Sequence, residues 1–281
     1  MIKAVNLVKN YGDFHLDVSF EIPDGTVTGI VGKNGAGKST TIKAILGLIR
    51  PDGGSVTING LQPSMLTAKE KSAIGTALSD SGFSSYLRVE DVICILRKTY
   101  PTFDETFFRN NCISQGLPFD KRIQDFSTGM RAKLRVLTAI SHKADILIMD
   151  EPTAGLDVGA RGEILDLLRQ FLLENSDCSV VLTSHISSDL EGMCDDIYLI
   201  DGGRILLHED TDTILSSYAI LKVDEETFER LDKRYILRSK KEFFGYVCLT
   251  KEKQFFAENY PGIVIENGSI DTLILMMTGG N

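Results

Sequence analysis

The sequence contains no tryptophan, only four histidines, and five cysteines that never form a CxxC pair. A disulfide framework needs paired cysteines, and a zinc site needs closely spaced thiol or imidazole ligands, so this spacing disfavours both. The thiols are therefore expected to be reduced and to act as packing residues: Cys94, Cys112, Cys178, Cys194 and Cys248.

Long hydrophobic runs are also missing. The apolar stretches ILIM (146–149) and LILMM (273–277) are short, whereas a helix needs roughly 18–20 apolar residues to cross a bilayer. The first ten residues, MIKAVNLVKN, contain no continuous apolar segment, so a secretory signal is not expected. These observations predict a protein that stays in the cytosol.

Positive charge is the minority sign, because 30 lysines and arginines face 39 acidic residues and leave a formal net charge of −9. A chain that binds nucleic acid needs basic groups on one face, so no nucleic-acid partner is predicted. The length of 281 residues allows one large domain with an appendage, or two modest domains.

Hydrophobic periodicity indicates the fold class. Residues 1–31 alternate apolar and polar side chains, which predicts a small antiparallel sheet followed by a buried strand. ADILIMD (144–150) and CSVVLTSH (178–185) are continuous apolar runs, as in parallel strands covered on both faces, and an amphipathic helix separates them. Strand, helix and strand in this order predict an α/β fold with a doubly wound, mostly parallel sheet.

Other segments depart from this pattern. Residues 88–125 have helical spacing and predict a helical insertion into the α/β core. DDIYLIDGGRILLHED (195–210) predicts a hairpin that turns at DGG. The last sixty residues are mixed, with strands predicted at YILRS, GYVCLT and GIVIENG before a closing helix, SIDTLILMMTGG (269–280).

GKNGAGKS (32–39) matches the phosphate-loop pattern GxxxxGK[ST]. Gly32, Gly35 and Gly37 permit a tight loop whose backbone N–H groups point at phosphate oxygens. Lys38 is predicted to reach the β- and γ-phosphates, and the Ser39 hydroxyl to bind Mg²⁺. A buried strand before the loop and a helix after it favour this interpretation over a glycine-rich turn without a ligand.

The strand ILIMDE (146–151) ends in two carboxylates. Successive strand side chains point in opposite directions, so Asp150 is expected to face the metal while Glu151 faces a water. A carboxylate beside the γ-phosphate can activate that water, whereas the alternative is a strand capped by solvated acids. His185 also ends a strand, at the edge where α/β sheets bind ligands, and is predicted to contact the γ-phosphate.

DFSTGMRAK (125–133) suggests a second anion site. The small residues Ser127, Thr128 and Gly129 lead into a helix-like stretch that is immediately basic, and helix N-termini favour anions. A chain with one phosphate loop therefore has a second segment suited to an anion.

Together these motifs resemble the nucleotide-binding subunits of ABC transporters over at least residues 1–215. GKNGAGKST looks like the first nucleotide motif, FSTGM stands where the LSGGQ signature belongs, and ILIMDEPTAGLD contains the second nucleotide motif, a glutamate and the D-loop. TSH supplies the switch histidine. Tyr11 resembles the aromatic that stacks on adenine, and its alternative is a strand-edge tyrosine.

The resemblance implies ATP and Mg²⁺ as cofactors. Glu151, His185 and Lys38 would be catalytic, and Ser39 and Asp150 would bind the metal. The implied ATP-binding residues come from the phosphate loop of one chain and the signature and D-loop of another: Tyr11, Gly32, Lys33, Asn34, Gly35, Ala36, Gly37, Lys38, Ser39, Thr40, Ser127, Thr128, Gly129, Met130 and Asp157.

The resemblance also implies an architecture. Residues 1–219 would form a P-loop NTPase domain of the ABC type, with an antiparallel β subdomain, a mostly parallel core sheet and a helical subdomain inserted at about 80–141. Residues 220–281 would form a small α+β extension that packs on this core.

The implied function is an ATPase subunit that powers a membrane transporter. It would bind a separate permease on the cytoplasmic face of the membrane, together with a second ATPase subunit that is either another copy or a different chain. STGM, the dipeptide IG (74–75) and the closing helix resemble the branch that serves exporters of drugs and peptides.

Two positions depart from the family pattern. Ser79, followed by Asp80, stands where the family has Gln or, in this branch, often Glu. A serine is too short to reach Mg²⁺ and water as Gln does, unless Asp80 substitutes. In the signature, Thr128 replaces the first Gly and Met130 replaces Gln.

Two other functions remain open. A soluble ATPase clamp on nucleic acid or ribosomes would share these motifs, but such proteins generally have two nucleotide domains or a long coiled coil, and this chain has one phosphate loop. A regulatory sensor that binds ATP without hydrolysis is the second. Glu151 argues against the sensor, and Ser79 leaves room for it.

Overall fold

A computed structural model describes residues 1–278 of the chain. Within them the β-strands are β1 (Ile2–Tyr11), β2 (Phe14–Ile22), β3 (Val27–Val31), β4 (Gly53–Ile58), β5 (Ile74–Ala77), β6 (Ile146–Asp150), β7 (Ser179–Ser184), β8 (Asp196–Asp201), β9 (Arg204–Asp210), β10 (Ala219–Val223), β11 (Arg238–Glu242), β12 (Gly245–Thr250) and β13 (Val264–Asn267). The α-helices are α1 (Lys38–Ile45), α2 (Ala68–Ser72), α3 (Val89–Thr99), α4 (Glu105–Ser114), α5 (Thr128–Ile140), α6 (Val158–Glu174), α7 (Ser187–Glu191), α8 (Thr211–Ser217), α9 (Glu225–Arg230), α10 (Lys253–Asn259) and α11 (Ile270–Thr278).

The central sheet has six strands in the order β5-β6-β7-β3-β8-β9. Its first five strands run parallel, and β9 pairs antiparallel with β8. Every residue of β3, β6 and β7 is buried, which explains why their sequences are continuous apolar runs rather than alternating ones. The carboxyl ends of four neighbouring strands, β5, β6, β7 and β3, therefore meet at one edge of the sheet.

A three-stranded antiparallel sheet, in the order β2-β1-β4, lies over α1. Alternate residues of β2 are buried, and its inward side chains join those of α1 in one apolar cluster. The alternation in the sequence predicted this half-buried sheet.

The helical insertion comprises α3, α4 and the start of α5. Val89, Val92, Ile93 and Leu96 repeat at i, i+3, i+4 and i+7 along α3, and all four are buried against the main core. The buried face that this spacing creates packs α3 into the main core, which also contains Phe108 and Cys112 of α4.

The last four strands form a separate antiparallel sheet in the order β11-β12-β10-β13. One face packs on α9 and α10 through a small cluster that includes Leu221, Cys248 and Phe256. The other face, with Ile220 and Leu249, joins the main core under α11. Helix α11 thus lies between this sheet and the central domain.

The structure confirms the predicted fold class: an α/β molecule with an antiparallel β subdomain, a mostly parallel core sheet, inserted helices and a small α+β C-terminal region. Some element boundaries differ. The strand expected at YILRS begins only at Arg238, because residues 233–235 form a 3-10 turn. Residues 279–280 of the predicted closing helix lie outside the described residues.

The cysteine prediction was right for four residues and wrong for one. All five thiols are free, and four are buried, but Cys94 is exposed on α3. Burial raises the pKa of Cys112 to about 12, so this thiol stays neutral as a packing residue should.

Candidate active site

The phosphate loop connects β3 to α1. Gly37 caps the helix with φ 118° and no side chain capping bond, so the first N–H groups of α1 are left for an external acceptor. Gly32 is required for a different reason from the one the sequence suggested. Its φ is not left-handed, but a Cβ there would lie 2.1 Å from the Ile200 carbonyl oxygen.

Lys38 is buried beneath the loop. Its ammonium donates to the Gly32 carbonyl at 2.8 Å and lies 3.3 Å from the Glu151 carboxylate. A cation held among carbonyl oxygens at the base of a loop of N–H groups presents positive charge to a bound phosphate.

Asp150, the last residue of β6, is also buried and is surrounded by hydroxyls. Its Oδ1 accepts from Ser39 at 3.2 Å and from Thr183 at 2.6 Å, and its Oδ2 accepts from Ser79 at 3.3 Å. Ser39 and Asp150 thus place a hydroxyl and a carboxylate side by side, and these hard oxygen donors fit Mg²⁺.

Glu151 lies just beyond the strand, so strand alternation does not decide where its side chain points. Its backbone is left-handed, with φ 52°, and its carboxylate reaches Lys38 on one oxygen. The other oxygen accepts from His185 Nδ1 at 2.6 Å and from the His185 backbone N–H at 3.2 Å. The three residues predicted to be catalytic, Lys38, Glu151 and His185, are therefore connected through the carboxylate of Glu151.

Lys38, Glu151 and His185 line one cavity of about 650 Å³ at the carboxyl edge of the sheet, and Asp150 is buried behind it. The lining contains most of the predicted phosphate-side residues and three that the sequence did not single out for it, Phe14, Ser79 and Ala154. The predicted members are Tyr11, Lys33, Asn34, Gly35, Gly37, Lys38, Ser39, Thr40, Glu151 and His185. Gly32 and Ala36 are buried and do not line the cavity.

Ser79 and Asp80 occupy the loop after β5, and the structure reverses their expected roles. Ser79 lines the cavity and bonds directly to Asp150, although the sequence suggested that a serine is too short to take part. Asp80 instead pairs with Lys43 at 2.7 Å. That contact lowers the pKa of Asp80 and raises the pKa of Lys43.

The signature segment does not line this cavity. Ser127 caps α5, where its hydroxyl accepts the Met130 backbone N–H at 3.1 Å, and both Ser127 and Thr128 are exposed. Gly129 lies against α6, because a Cβ there would come 3.3 Å from Ala160. Asp157 caps α6 by accepting the Ala160 N–H at 2.9 Å.

Thr183 is a site residue that the sequence reasoning missed. It is fully buried on β7, yet its hydroxyl contacts Asp150 and the backbone of Glu151. Its place in TSH, two residues before His185, was the available signal.

A family profile described as "ABC transporter" matches residues 16–154. The linearmycin resistance ATP-binding protein LnrL of Bacillus subtilis (strain 168) is 34% identical over 213 residues, which cover 73% of this chain and 68% of that protein. This chain belongs to the ABC transporter family. It is an ATP-binding, ATP-hydrolysing subunit of that family.

Other relatives and solved structures agree with this assignment. The bacitracin transport ATP-binding protein BcrA of Bacillus licheniformis is 31% identical over 212 residues, or 73% of this chain and 68% of that protein. The solved ATP-binding subunit of an ABC transporter superposes with a TM-score of 0.67 at 25% identity, covering 76% of this chain and 91% of that one. A dimeric bacterial ABC transporter cassette gives a TM-score of 0.65 at 23% identity, covering 75% and 99%, and so shares the fold.

Among the described residues, no helix combines the length and the apolar character needed to cross a membrane.

Proposed function

We propose that this ABC subunit hydrolyses ATP in the cavity between the phosphate loop and the ends of β6 and β7, and that it does so in a sandwich of two subunits. The assignment depends on one observation, which is that four side chains from separate parts of the chain come together. Lys38, Asp150, Glu151 and His185 end or follow three separate strands of the sheet and meet beside the phosphate loop.

The contacts suggest how the site responds to nucleotide. Glu151 lies 3.3 Å from Lys38, so the proposed base and the proposed phosphate-binding cation are in contact. The triphosphate gives Lys38 a more highly charged partner, which leaves Glu151 free to accept a proton from the attacking water. His185 holds the Glu151 carboxylate through two hydrogen bonds, and its other ring nitrogen would contact the γ-phosphate.

Ser39 and Asp150 would hold Mg²⁺, which when bound neutralises charge on the β- and γ-phosphates. Tyr11, which is 48% exposed beside the loop, offers an aromatic face for the adenine.

The signature would complete the site from the second subunit. Ser127 and Gly129 stand at an exposed helix N-terminus that lacks an acidic residue in its first turn, and such a terminus favours the γ-phosphate of another chain. ATP would thus join the two subunits, and hydrolysis would separate them. A homodimer is feasible because one chain contains both halves of the site.

We further propose that the permease is a separate protein and that this chain attaches to it on the cytoplasmic face of the membrane. A groove of about 430 Å³ between the loop at 79–83 and α5 has a lining of mostly polar residues that also includes Phe83, Ile123 and Leu134, and we assign it to a helix of the permease. The relatives named for linearmycin resistance and bacitracin transport favour an exporter of drugs or peptides.

Residues 1–219 would act as the ATPase domain, and residues 220–281 as an extension rather than as a second enzyme. The support is the packing of α11, whose Leu273 and Met276 are buried in the main core and whose Ile270 N–H donates to Glu191 on α7 at 2.8 Å. Lys33 of the phosphate loop also donates to the Thr278 carbonyl at 3.0 Å.

The central experiment is Glu151→Gln, which keeps the size of the side chain and removes its basicity. ATP turnover should fall by about 10²-fold or more, and dimers should accumulate in the presence of ATP, as measured by steady-state assay and by mass. The exposed Glu174→Gln, at the end of α6, is the matched control and should behave as wild type. Unchanged turnover in Glu151→Gln would contradict the assignment of Glu151 as the base.

The permease is tested by affinity purification of the tagged chain from membranes of its native source. A membrane protein should be recovered in stoichiometric amount. Its repeated absence, from cells that express the tagged chain at its normal level, would contradict the transporter assignment while leaving the ATPase intact.

A further inference from the structure

Thr183 is a buried residue of β7 whose hydroxyl contacts the carboxylate of Asp150 and the backbone N–H of Glu151. In the β6–β7 pairing it stands directly opposite Asp150, and its side chain is fully excluded from solvent. Its Oγ1 lies 2.6 Å from Asp150 Oδ1 and 3.0 Å from the Glu151 backbone nitrogen.

The direction of these two bonds is fixed by chemistry. The Glu151 N–H can only donate, so Thr183 Oγ1 must accept from it. The single hydroxyl proton of Thr183 is then free for Asp150, whose ionised carboxylate can only accept. One hydroxyl thus joins the backbone of one acid to the side chain of the other.

This link acts on a backbone that needs support. Glu151 adopts φ 52°, a left-handed conformation that is uncommon for residues other than glycine. Its N–H is held twice by Thr183, by the hydroxyl and by the backbone carbonyl at 3.1 Å. The turn that directs the Glu151 carboxylate toward Lys38 and His185 therefore depends on the residue beside it.

We propose that Thr183 is a positioning residue for ATP hydrolysis, whose hydroxyl fixes the mutual placement of Asp150 and Glu151. The proposal rests on the roles assigned to these two acids under the proposed function. The Asp150 oxygen that Thr183 contacts is also the one that Ser39 contacts, so Thr183 orients the carboxylate for a metal bound beside Ser39. The same hydroxyl holds the backbone of Glu151, the proposed base, and so orients its carboxylate.

The chain offers a matched set of variants. Thr183→Val removes the hydroxyl and keeps the shape, while Thr183→Ser keeps the hydroxyl. Thr28→Val makes the same change on the adjacent strand β3, where the Thr28 hydroxyl is buried and has no hydrogen-bond partner among the described residues. Thr28→Val loses no hydrogen bond, so it shows the effect of placing valine in a buried strand position, while Thr183→Ser shows the effect of the hydroxyl.

In Thr183→Val we expect kcat to fall by roughly 10–100-fold, the range for partners that orient metal ligands, and KM for ATP to change little. A second readout needs no turnover: binding of a fluorescent ATP analogue is titrated with Mg²⁺. The Mg²⁺ concentration for half-saturation should rise about tenfold, while binding in the presence of EDTA stays unchanged. Thr183→Ser should restore both quantities, and Thr28→Val should alter neither.

The proposal is wrong if Thr183→Val has wild-type kcat and Mg²⁺ dependence, or if Thr183→Ser is as impaired as Thr183→Val. Failure of the proposed roles of the acids is a separate result, because it would appear as unchanged turnover in Glu151→Gln. In that case the Mg²⁺ titration still decides whether the Thr183 hydroxyl orients Asp150.

Discussion

The phosphate loop and the signature segment look alike in sequence and differ in structure. In both, small residues open a helix: α1 begins at Lys38, at the end of GKNGAGK, and α5 begins at Thr128, within FSTGM. Around the N-terminus of α1, whose first residue is Lys38, lie two carboxylates and a histidine from the ends of β6 and β7. The N-terminus of α5 is exposed, and its own Ser127 already caps it.

This difference identifies which site is complete within one chain. Under the proposed function, the phosphate loop has its metal donors, its base and its cation within one chain and would bind a triphosphate by itself. The signature supplies an electropositive helix end without any group that could perform chemistry. Two equal anion sites would serve two anions, whereas a full site and a half-site suit one anion shared by two chains.

Replacing Lys38 by alanine should have the largest effect, because it removes the cation of the complete site. We expect both ATP affinity and turnover to fall, the latter by at least about 10²-fold. Lys43→Ala, on the exposed side of the same helix, is the control and should keep normal affinity. Equilibrium binding of an ATP analogue and steady-state turnover measure the two effects. Normal ATP binding by Lys38→Ala would mean that the loop is not the primary phosphate site.

Gly129→Asp should abolish turnover without weakening ATP binding by the isolated subunit. A carboxylate near the N-terminus of α5 stabilises that helix, but it repels the γ-phosphate presented by a second chain. Gly129→Ala, which adds only the Cβ that would lie 3.3 Å from Ala160, controls for crowding. Analytical ultracentrifugation with ATP and a monomer binding assay separate the two effects. Weaker ATP binding by the monomer would show that the segment serves its own nucleotide.

Ser127→Ala should have an intermediate effect. The loss of the cap on α5 should lower the free energy of unfolding by about 1 kcal/mol, and the loss of a γ-phosphate contact should lower turnover about tenfold. Ser127→Asp should restore the cap and the stability but not the turnover, since its charge opposes phosphate. Urea unfolding and ATPase assays test this split. If Ser127→Asp recovers both quantities, the serine serves only the helix.

The parts of the molecule that follow from local pattern were predicted well. β3 and β6 were predicted because strands covered on both faces must be apolar throughout. The phosphate loop was predicted because its spacing is short and its chemistry is local. The arrangement of Glu151 was not, because its left-handed turn depends on Thr183, which lies 32 residues later in the chain.

The same limit explains the roles of Ser79 and Asp80. The sequence cannot show which of two neighbouring loop residues enters the site when the residues that they contact are distant in the chain. Lys43, which pairs with Asp80, is 37 residues away from it in the chain. Asp150, which accepts a hydrogen bond from Ser79, is 71 residues away from Ser79. Side-chain length alone suggested that Asp80 would reach the metal better than Ser79. The ion pair with Lys43 instead holds Asp80 outside the cavity.

Asp80→Asn should give the smallest effect and tests the assignment of these two residues. Since Lys43 lowers the pKa of Asp80 in the folded protein, the ion pair stabilises the fold above the ordinary aspartate pKa of about 3.9, and this contribution is lost as the pH falls through the lowered value. Both partners are largely exposed, at 58% and 36%, so the cost at pH 7 should be below about 1 kcal/mol and should shrink in high salt. Urea unfolding of both proteins at pH 7 and at pH below 4 measures it.

ATP turnover should stay within about twofold of wild type, because Ser79 and not Asp80 contacts Asp150. A tenfold loss of turnover would mean that Asp80 leaves Lys43 during the cycle and enters the phosphate-loop site. Asp80 would then join Lys38, Asp150, Glu151 and His185 as a member of that site.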